Sequence, residues 1–245
     1  MNDKLKRGCL VGCGGAVALV VAVLFIYPAM KAAKTSSRHD TCFANMKQLG
    51  SALQQYEGDY DGLLPPVRSD RTVSTAIADT ADGGAPPSKS TWRSALVTYV
   101  LSDKAFACED RDQAVTKGPD GFATSYAVNT AGSAKRGTSR GPFAPSAKPL
   151  NAARAPSPAN VIAICEVQNT DSPAFDIDDP HFGPAPQILY AGHGGKSNDV
   201  FLDGHAAALA PADTAAKANF WYVDGSPLSP AGQATLKATE QVFGR

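Results

Sequence analysis

The sequence predicts an α+β protein, with helical segments near both ends of the chain and short strands between them. Three observations support this class. A long apolar run near the N-terminus continues into a segment that carries an apolar stripe at helical spacing. Later apolar segments are short and are separated by turn-rich stretches. Gly and Pro are frequent, with 22 and 18 among 245 residues, which is typical of a protein with many turns and long loops.

The apolar run at residues 8–30 predicts a transmembrane helix. Residues 1–7 form a basic tip, and no charged residue follows them until Lys31. A helix that spans a bilayer needs about 20 apolar residues, and this run is long enough. The alternatives are a cleaved signal peptide, a lipoprotein cleavage box at 10–13 and a buried core helix.

Two further features concern the placement of this helix in a membrane. Small residues four positions apart let transmembrane helices pack closely, although a helix that is simply rich in Gly and Ala has the same pattern. These residues are Gly8, Gly12 and Ala16. We expect a cytoplasmic N-terminus because a large folded part follows the membrane helix. Charge alone does not decide the orientation, because basic residues on the two sides of the helix balance each other. Residues 31–245 then lie outside the cytoplasm, where cysteines can pair.

Residues 31–62 are predicted to continue the helix with one apolar face. The apolar residues of its second half follow a 4-3-4-3-4 spacing, which places them on one side. They are Cys42, Met46, Leu49, Leu53, Tyr56 and Tyr60. Gly62 and the pair Pro65–Pro66 then end the helix. The segment 59–62 lacks the glycine and glutamate positions of a calcium-binding EF-hand loop, so it predicts a helix-ending turn.

Residues 63–245 are predicted to form a globular domain. A second amphipathic helix is expected at 90–101, with Thr91 as its N-cap. A C-terminal helix is expected between the N-cap Ser229 and Gly244. Strand candidates alternate with turns between these helices, as in an antiparallel sheet. They lie at 105–108, 125–128, 161–167, 187–191, 199–202 and 205–210.

Charge and motifs argue against several functional classes. The formal net charge is zero, which gives no reason to expect a nucleic acid as a partner. The five cysteines form no Cys-x-x-Cys pair of the kind that zinc ribbons and thioredoxins use. The sequence has no His-Glu-x-x-His motif and no phosphate-binding loop, so we expect no enzymatic activity.

The segment 198–209 predicts a β-hairpin. Asp203–Gly204 is the expected two-residue turn, of type I′, in which both central residues have positive φ. By simple alternation along the strand, Val200 and Leu202 are expected on one face and Phe201 on the other.

His193 lies on the loop before this hairpin, beside glycines that let the backbone bend sharply. Its imidazole is predicted to fold back towards Asp203 and to pin the loop to the hairpin. The first alternative is a divalent metal such as zinc, held by His193, Asp203 and His205, with His181 as a fourth ligand. Catalysis is the second alternative, although no activated nucleophile is apparent nearby.

Two motifs together carry a family resemblance. One is the run Cys-x-x-Asn-x-Lys-Gln-Leu-Gly at 42–50, and the other is His193 followed by nine residues and then Asp203–Gly204. With the apolar N-terminal helix before them, they resemble the bacterial pilin-like proteins named for a C-terminal His, nine residues, Asp-Gly motif (H-X9-DG). The resemblance covers residues 1–60 and 92–209, and it extends to type IV pilins and the pseudopilins of type II secretion.

The resemblance implies a type IV pilin-like fold, in which a long N-terminal helix lies against a small antiparallel sheet. It also implies a non-enzymatic subunit that assembles through its apolar helix. One departure concerns processing. Prepilins are normally cut after a glycine, and the apolar run that follows this glycine contains a glutamate. Here Cys13 stands where that glutamate would be. Cleavage by a prepilin peptidase is therefore not predicted from the sequence.

The resemblance also bears on cysteines and calcium. It places Cys42 on the long helix and Cys108 at a strand start that packs over it, which implies a disulfide between them; two separate buried thiols are the alternative. Cys165, within an apolar run, is expected to be a buried free thiol. Pseudopilins can hold calcium in a sheet-edge loop, and the acidic residues that would serve here are Asp176, Asp178 and Asp179.

We therefore expect a single-pass protein of the bacterial inner membrane with its C-terminal domain in the periplasm or outside the cell. Its expected function is that of a pilin-like or pseudopilin-like structural subunit of a secretion or surface-appendage system. It would associate with itself or with other pilin-like subunits through the N-terminal helix. The alternatives are an extracytoplasmic binding or sensing domain on a single-helix anchor and, less favoured, a metal-binding enzyme domain.

Overall fold

The structure, a computed structural model, divides the chain into two compact units, residues 1–40 and 41–245. The described residues are 23–24, 27–69, 90–110, 116–118, 120–132, 139–144, 149–168, 172–179 and 188–244. Most of the predicted transmembrane segment 8–30 lies outside them, and so do Gly8, Gly12, Ala16 and His181. Among the residues that the structure describes, no helix has the length and apolar character that a bilayer crossing requires.

Helix α1 (Tyr27–Asp59) buries one face of its second half. The side chains of that face are each 7% exposed or less, and they are Cys42, Met46, Leu49, Leu53 and Tyr56. The predicted stripe is thus confirmed as far as the helix extends, and Tyr60 beyond it is half-buried. Burying one large apolar side chain stabilises a fold by about 1.5–3 kcal/mol, so this stripe is a major reason for the helix to stay on the domain.

The helix ends in the turn predicted at 59–62. Asp61 and Gly62 have positive φ angles of 54° and 78°. The Gly62 N–H donates to the Glu57 carbonyl oxygen at 2.7 Å, which satisfies a carbonyl that the helix end would leave without a donor. Asn151 holds the turn in place, because its side-chain amide donates to the Asp61 carbonyl oxygen at 2.7 Å.

Within the described residues the strands form one small and one larger sheet. The small sheet pairs β1 (Arg68–Ser69) with β2 (Ser90–Thr91). The strands of the larger sheet are β3 (Tyr126–Asn129), β4 (Ile162–Gln168), β5 (Ala174–Phe175), β6 (Ile188–Leu189), β7 (Ser197–Phe201) and β8 (Ala206–Leu209). Their order is β5-β3-β4-β7-β8, and β6 also pairs with β4.

The larger sheet is mixed, so the prediction of a purely antiparallel sheet is wrong at one pair. Strands β3 and β5 run parallel, whereas the other pairings in this sheet are antiparallel. Strand β5 has two residues, and so short a segment has no alternation that a sequence pattern can reveal. The sequence therefore predicts neither this strand nor its direction.

The central strand β4 is buried on both faces, which explains its continuous apolar sequence. Ile164 belongs to the core that contains the α1 stripe, and Cys165 belongs to a second core on the opposite face. The second core also contains Trp221 and Leu236 from the C-terminal part of the chain. The sheet is therefore covered by α1 on one face and by C-terminal residues on the other.

Two predicted elements near residue 100 differ from the structure. Helix α2 (Trp92–Leu96) begins after the expected N-cap Thr91, but it is much shorter than 90–101 and tightens into a 3₁₀ turn. The residues after Leu96 include β-branched ones, which restrict the side chain in a helix. Residues 105–108, predicted as a strand, instead include the end of a 3₁₀ turn at Asp103–Phe106.

The C-terminal part contains the short helix α3 (Asp213–Ala216) and the longer helix α4 (Pro230–Phe243). Helix α4 confirms the prediction at both ends, because the Ser229 hydroxyl accepts a bond from the Gly232 N–H and Gly244 follows the last helical residue. Helix α3 has four residues, too few to produce a periodic apolar pattern.

The two faces of β7 are as predicted. Val200 and Leu202 lie in the core with α1, and Phe201 lies in the second core. The exposed fractions of these three side chains are 2% or less. The strand thus contributes to both cores through alternate residues.

The turn between β7 and β8 differs from the predicted type. The Gly204 N–H donates to the Phe201 carbonyl oxygen, and the Phe201 N–H donates to the His205 carbonyl oxygen, both at 2.9 Å. These bonds enclose a three-residue loop in which Gly204 has a φ of 84°. A type I′ turn needs a positive φ at Asp203 as well, and Asp203 has none. The prediction of a two-residue type I′ turn is therefore wrong.

Helix α1 and this turn meet backbone against backbone at Gly50 and Gly204. A Cβ atom at Gly50 would lie 2.1 Å from the Gly204 carbonyl oxygen, and a Cβ atom at Gly204 would lie 2.4 Å from Gln54 Cγ. The side-chain amide of Gln54 also donates to the Leu202 carbonyl oxygen at 2.9 Å. The helix therefore sits on the turn only because both positions lack a side chain.

We expect Gly50→Ala to lower the free energy of unfolding by about 1–3 kcal/mol, because the added methyl group must displace the turn backbone. The matched control is Gly58→Ala on the same helix, where an added Cβ meets nothing within 4 Å. That substitution is expected to stabilise by up to about 1 kcal/mol, since alanine favours a helix over glycine. Urea unfolding of both variants checks this, and equal effects at the two positions would contradict the contact.

Candidate functional site

His193 lies buried in the loop between β6 and β7, between two carboxylates. Its Nε2 atom is 3.0 Å from Glu166 Oε2, and its Nδ1 atom is 3.2 Å from Asp110 Oδ2. The side chain of His193 is 5% exposed and that of Glu166 is fully buried. The imidazole therefore joins three separate chain segments: β4, the loop before β7 and the segment that contains Asp110.

Glu166 is the residue that organises this cluster. It lies on β4, and its carboxylate contacts the buried imidazole of His193. Its Oε2 atom also accepts a bond from the Asn198 N–H on β7 at 3.0 Å. A buried carboxylate without partners would be strongly unfavourable, so the imidazole and the backbone amide compensate it. The sequence signal for this role is a single acid within an apolar run at 161–167, and sequence reasoning missed it along with Asp110.

The electrostatic setting favours a charged imidazole. Burial by itself lowers the pKa of His193, but the hydrogen bond and negative charge of Glu166, followed by those of Asp110, outweigh it, so that the net shift of the pKa is upward. On the opposite face of the sheet, burial and then the charge of Glu166 raise the pKa of Asp199 well above its ordinary value. Burial therefore favours the protonated form of Asp199, whereas the carboxylates beside His193 favour the charged form of its imidazole.

A disulfide lies directly against this cluster. Cys42 on α1 is bonded to Cys108, with their Cα atoms 5.0 Å apart, and Cys108 Sγ is 3.6 Å from His193 Nε2. Asn45, one turn along the helix, donates from its side-chain amide to the Ala107 carbonyl oxygen at 2.8 Å. The predicted disulfide is confirmed, and Cys165 is a buried free thiol as expected.

The prediction that His193 folds back towards Asp203 is wrong. Asp203 lies in the loop after β7, where its carboxylate contacts His205 instead. Among the described residues, the groups whose ligand atoms lie close enough to share a metal ion do not include His193, Asp203 and His205 together. The predicted ligand set of His193, Asp203 and His205 is therefore wrong as well. The loop instead places the imidazole of His193 against the buried carboxylate of Glu166.

Asp203 and His205 form a separate pair at the tip of the hairpin. Asp203 Oδ1 accepts a bond from the His205 N–H at 3.1 Å and also contacts the imidazole Nδ1. The His205 ring stacks on the Phe201 ring, with centroids 4.3 Å apart. Both members of the pair are partly exposed, so this contact shapes the loop with little cost of burial.

The acidic residues considered for calcium have structural partners. Asp176 Oδ1 accepts bonds from the Gly132 and Asp178 N–H groups at 2.9 and 3.0 Å. Asp178 Oδ1 accepts from the Tyr222 hydroxyl at 2.6 Å and from the Ser229 hydroxyl. The Asp179 N–H donates to the Asp176 carbonyl oxygen at 3.1 Å. Asp178 thus joins this loop to the N-cap of α4, and Asp176 joins it to the segment after β3.

Sequence reasoning also missed a Gly-x-Ser-x-Gly pattern at 137–141. In hydrolases this pattern places the serine on a sharp turn between a strand and a helix. Here the described residues 139–144 contain neither element, and the Ser139 hydroxyl donates to the Phe143 carbonyl oxygen at 3.1 Å. Within these six described residues, Ser139 therefore does not lie on a turn between a strand and a helix.

Glu57 lies beside the contact between α1 and the hairpin turn. Gln54 Nε2 is 3.2 Å from Glu57 Oε2. Burial raises the pKa of Glu57 from 4.5 to about 7, although the Gln54 hydrogen bond lowers it in part. Folding therefore favours the protonated carboxyl group.

Comparison with known protein families assigns the chain to one of them. Residues 31–176, more than half of the sequence, match the family described as Protein of unknown function (DUF1559), and the chain belongs to that family. Its members typically include pilin-like proteins with the H-X9-DG motif. The match includes the motif at 42–50, whereas His193 and Asp203–Gly204 lie beyond it. No curated protein and no solved structure matches the chain.

Replacement of both Cys42 and Cys108 by alanine is expected to lower the free energy of unfolding by about 4 kcal/mol. The reason is that the disulfide closes a loop with a sequence separation of 66, which restricts the unfolded chain. Urea unfolding measures the change, and mass spectrometry of non-reduced peptides shows the linkage directly. A linkage that includes Cys165, or a double variant as stable as the wild type, would contradict the pairing.

Glu57→Gln is expected to make stability less dependent on pH. Because the folded-state pKa is about 7 and the ordinary value is 4.5, wild-type stability should fall as the pH rises between these values. The variant should therefore be more stable than the wild type at pH 8, by about 1 kcal/mol, and similar to it at pH 4. The control is Glu109→Gln, at an exposed position. If the free energies of unfolding of Glu57→Gln and the wild type differ by the same amount at both pH values, the raised pKa of Glu57 is refuted.

Proposed function

We propose that the chain is a membrane-anchored, pilin-like or pseudopilin-like structural subunit of a secretion or surface-appendage system, without enzymatic activity. Residues 8–30 would anchor it in the bacterial inner membrane, with residues 31–245 outside the cytoplasm. It would associate with copies of itself or with other pilin-like subunits through the N-terminal helix. Membership of the DUF1559 family is compatible with a pilin-like or extracytoplasmic surface protein.

The observation that carries this proposal is a group of exposed apolar side chains in the first unit. Val23, Leu24, Tyr27 and Met30 are 56%, 62%, 65% and 66% exposed. Large apolar side chains that cluster on a surface mark contacts with a membrane or with another protein. A bilayer, or the helices of neighbouring subunits, would cover these four.

Two features of the second unit support the extracytoplasmic and pilin-like parts of the proposal. Disulfides persist in oxidising compartments, so the bond between Cys42 and Cys108 favours export. The buried stripe of α1 and the close approach of Gly50 to Gly204 lay the helix on the larger sheet. This arrangement is what the resemblance to pilins leads one to expect.

The proposal is tested by photo-crosslinking of the full chain in cells, with a photoreactive residue in place of Met30. The matched control carries the same residue at Leu101, a 94% exposed position in the second unit. We expect the chain to remain in the membrane fraction after an alkaline wash. We also expect crosslinked multimers from position 30 and none from position 101.

Two results would contradict the proposal in different ways. Release of the chain by the alkaline wash would contradict the anchor. A chain that stays in the membrane but yields only monomers from position 30 would contradict assembly through the helix. The second result would favour an extracytoplasmic binding or sensing domain on a simple anchor.

A further inference from the structure

We propose that the dithiol form of this protein binds one Zn²⁺ ion between Cys42, Cys108, His193 and Glu166. The disulfide and the metal ion would then be two alternative ways of closing the same buried site. The proposal concerns a different set of ligands from the one that the sequence suggests, and it does not depend on the proposed structural role of the chain.

The distances from Cys108 Sγ to His193 Nε2 and from that nitrogen to Glu166 fit a tetrahedral zinc site, and the two sulfur atoms, bonded to each other here, would separate to about 3.8 Å after reduction. One ligand atom from each of the four buried residues lies within 4.8 Å of all the others. Zinc–sulfur, zinc–nitrogen and zinc–oxygen bonds of about 2.3, 2.05 and 2.0 Å at tetrahedral angles separate S from N by about 3.6 Å and N from O by about 3.3 Å. Cys108 Sγ is 3.6 Å from His193 Nε2, and that atom is 3.0 and 3.2 Å from the two Glu166 oxygens.

The second nitrogen of His193 has the partner that metal-bound histidines usually have. Its Nδ1 atom lies 3.2 Å from Asp110 Oδ2. A carboxylate on the second ring nitrogen orients the imidazole and makes it a better donor to the metal. Glu166 is held in turn by the Asn198 N–H at 3.0 Å, so two of the four proposed ligands are already oriented by their neighbours.

The chemistry of the change is a two-electron reduction followed by metal binding. A dithiol reductant gives two electrons and two protons to the disulfide between Cys42 and Cys108, and it becomes a disulfide itself. Zn²⁺ then displaces the two thiol protons and the proton on His193 Nε2, while Nδ1 keeps its proton for Asp110. The two thiolates cancel the charge of Zn²⁺, so Glu166 would be satisfied by its direct bond to the metal ion, in the place of the hydrogen bond from His193 Nε2.

Metal and disulfide exclude each other, because each needs both sulfur atoms. The occupant of the site would therefore depend on the redox state of the compartment. Before oxidation, zinc would hold α1 to the segment at Cys108, and after oxidation the disulfide would do so. The same two segments would be joined in both states, with the metal released when the sulfurs pair.

The test uses Co²⁺ as a spectroscopic probe for zinc, in the full chain with Cys9→Ser and Cys13→Ser so that no other pair of thiols can bind it. After reduction we expect one equivalent of Co²⁺, with thiolate-to-cobalt charge-transfer bands and the intense visible bands of tetrahedral cobalt. One equivalent of Zn²⁺ should abolish both. The oxidised protein should show neither, because its sulfurs are bonded to each other.

Variants identify the ligands. His193→Ala and Glu166→Gln should each weaken Co²⁺ binding tenfold or more, whereas Cys165→Ala, at the buried free thiol on the other face of the sheet, should not. Where a variant fails to fold by circular dichroism, the intensity of the charge-transfer bands in the parent chain still reports how many thiolates bind. Absence of these bands in the reduced parent, or binding that His193→Ala and Glu166→Gln leave unchanged, would overturn the proposal.

Discussion

The contact on which the rest of the second unit depends is the backbone approach of Gly50 to Gly204. A side chain at either position would separate helix α1 from the hairpin turn. Cys42 lies eight residues before Gly50, about 12 Å along the helix, and its disulfide to Cys108 gives a second attachment. Two attachments on one rigid helix determine where it lies on the sheet, and the buried stripe between them then fills one core.

The same two attachments explain the spacing of the His–nine–Asp-Gly motif. His193 acts at the end where the disulfide lies, through Glu166, and Gly204 acts at the other end, against Gly50. The residues between them include β7 (Ser197–Phe201), which is about 13 Å long at 3.3 Å per residue, close to the distance of about 12 Å between the helix attachments. The motif therefore serves two separate contacts with α1 and its disulfide, and its histidine and aspartate need not meet.

The elements predicted well are those in which one physical pattern dominates. The α1 stripe, the doubly buried β4 and the capped α4 all follow from apolar spacing and end residues. Strand β5 and the 3₁₀ turn at Asp103–Phe106 are too short for such patterns, and long-range contacts decide them. The partner of His193 is likewise decided by tertiary structure, because a single acid within an apolar run does not indicate which distant residue will compensate it. The disulfide was predictable only through family resemblance.

Helix α1 and the hairpin are expected to form one cooperative unit, which native-state hydrogen exchange of the oxidised full chain can measure. The amides of Leu49 and Leu53 on the helix and of Val200 on β7 are the reporters, because all three side chains are buried in one core. We expect the three amides to exchange through the same opening, with equal free energy and equal dependence on denaturant. Exchange of the helix amides at clearly lower free energy, while Val200 stays protected, would contradict it.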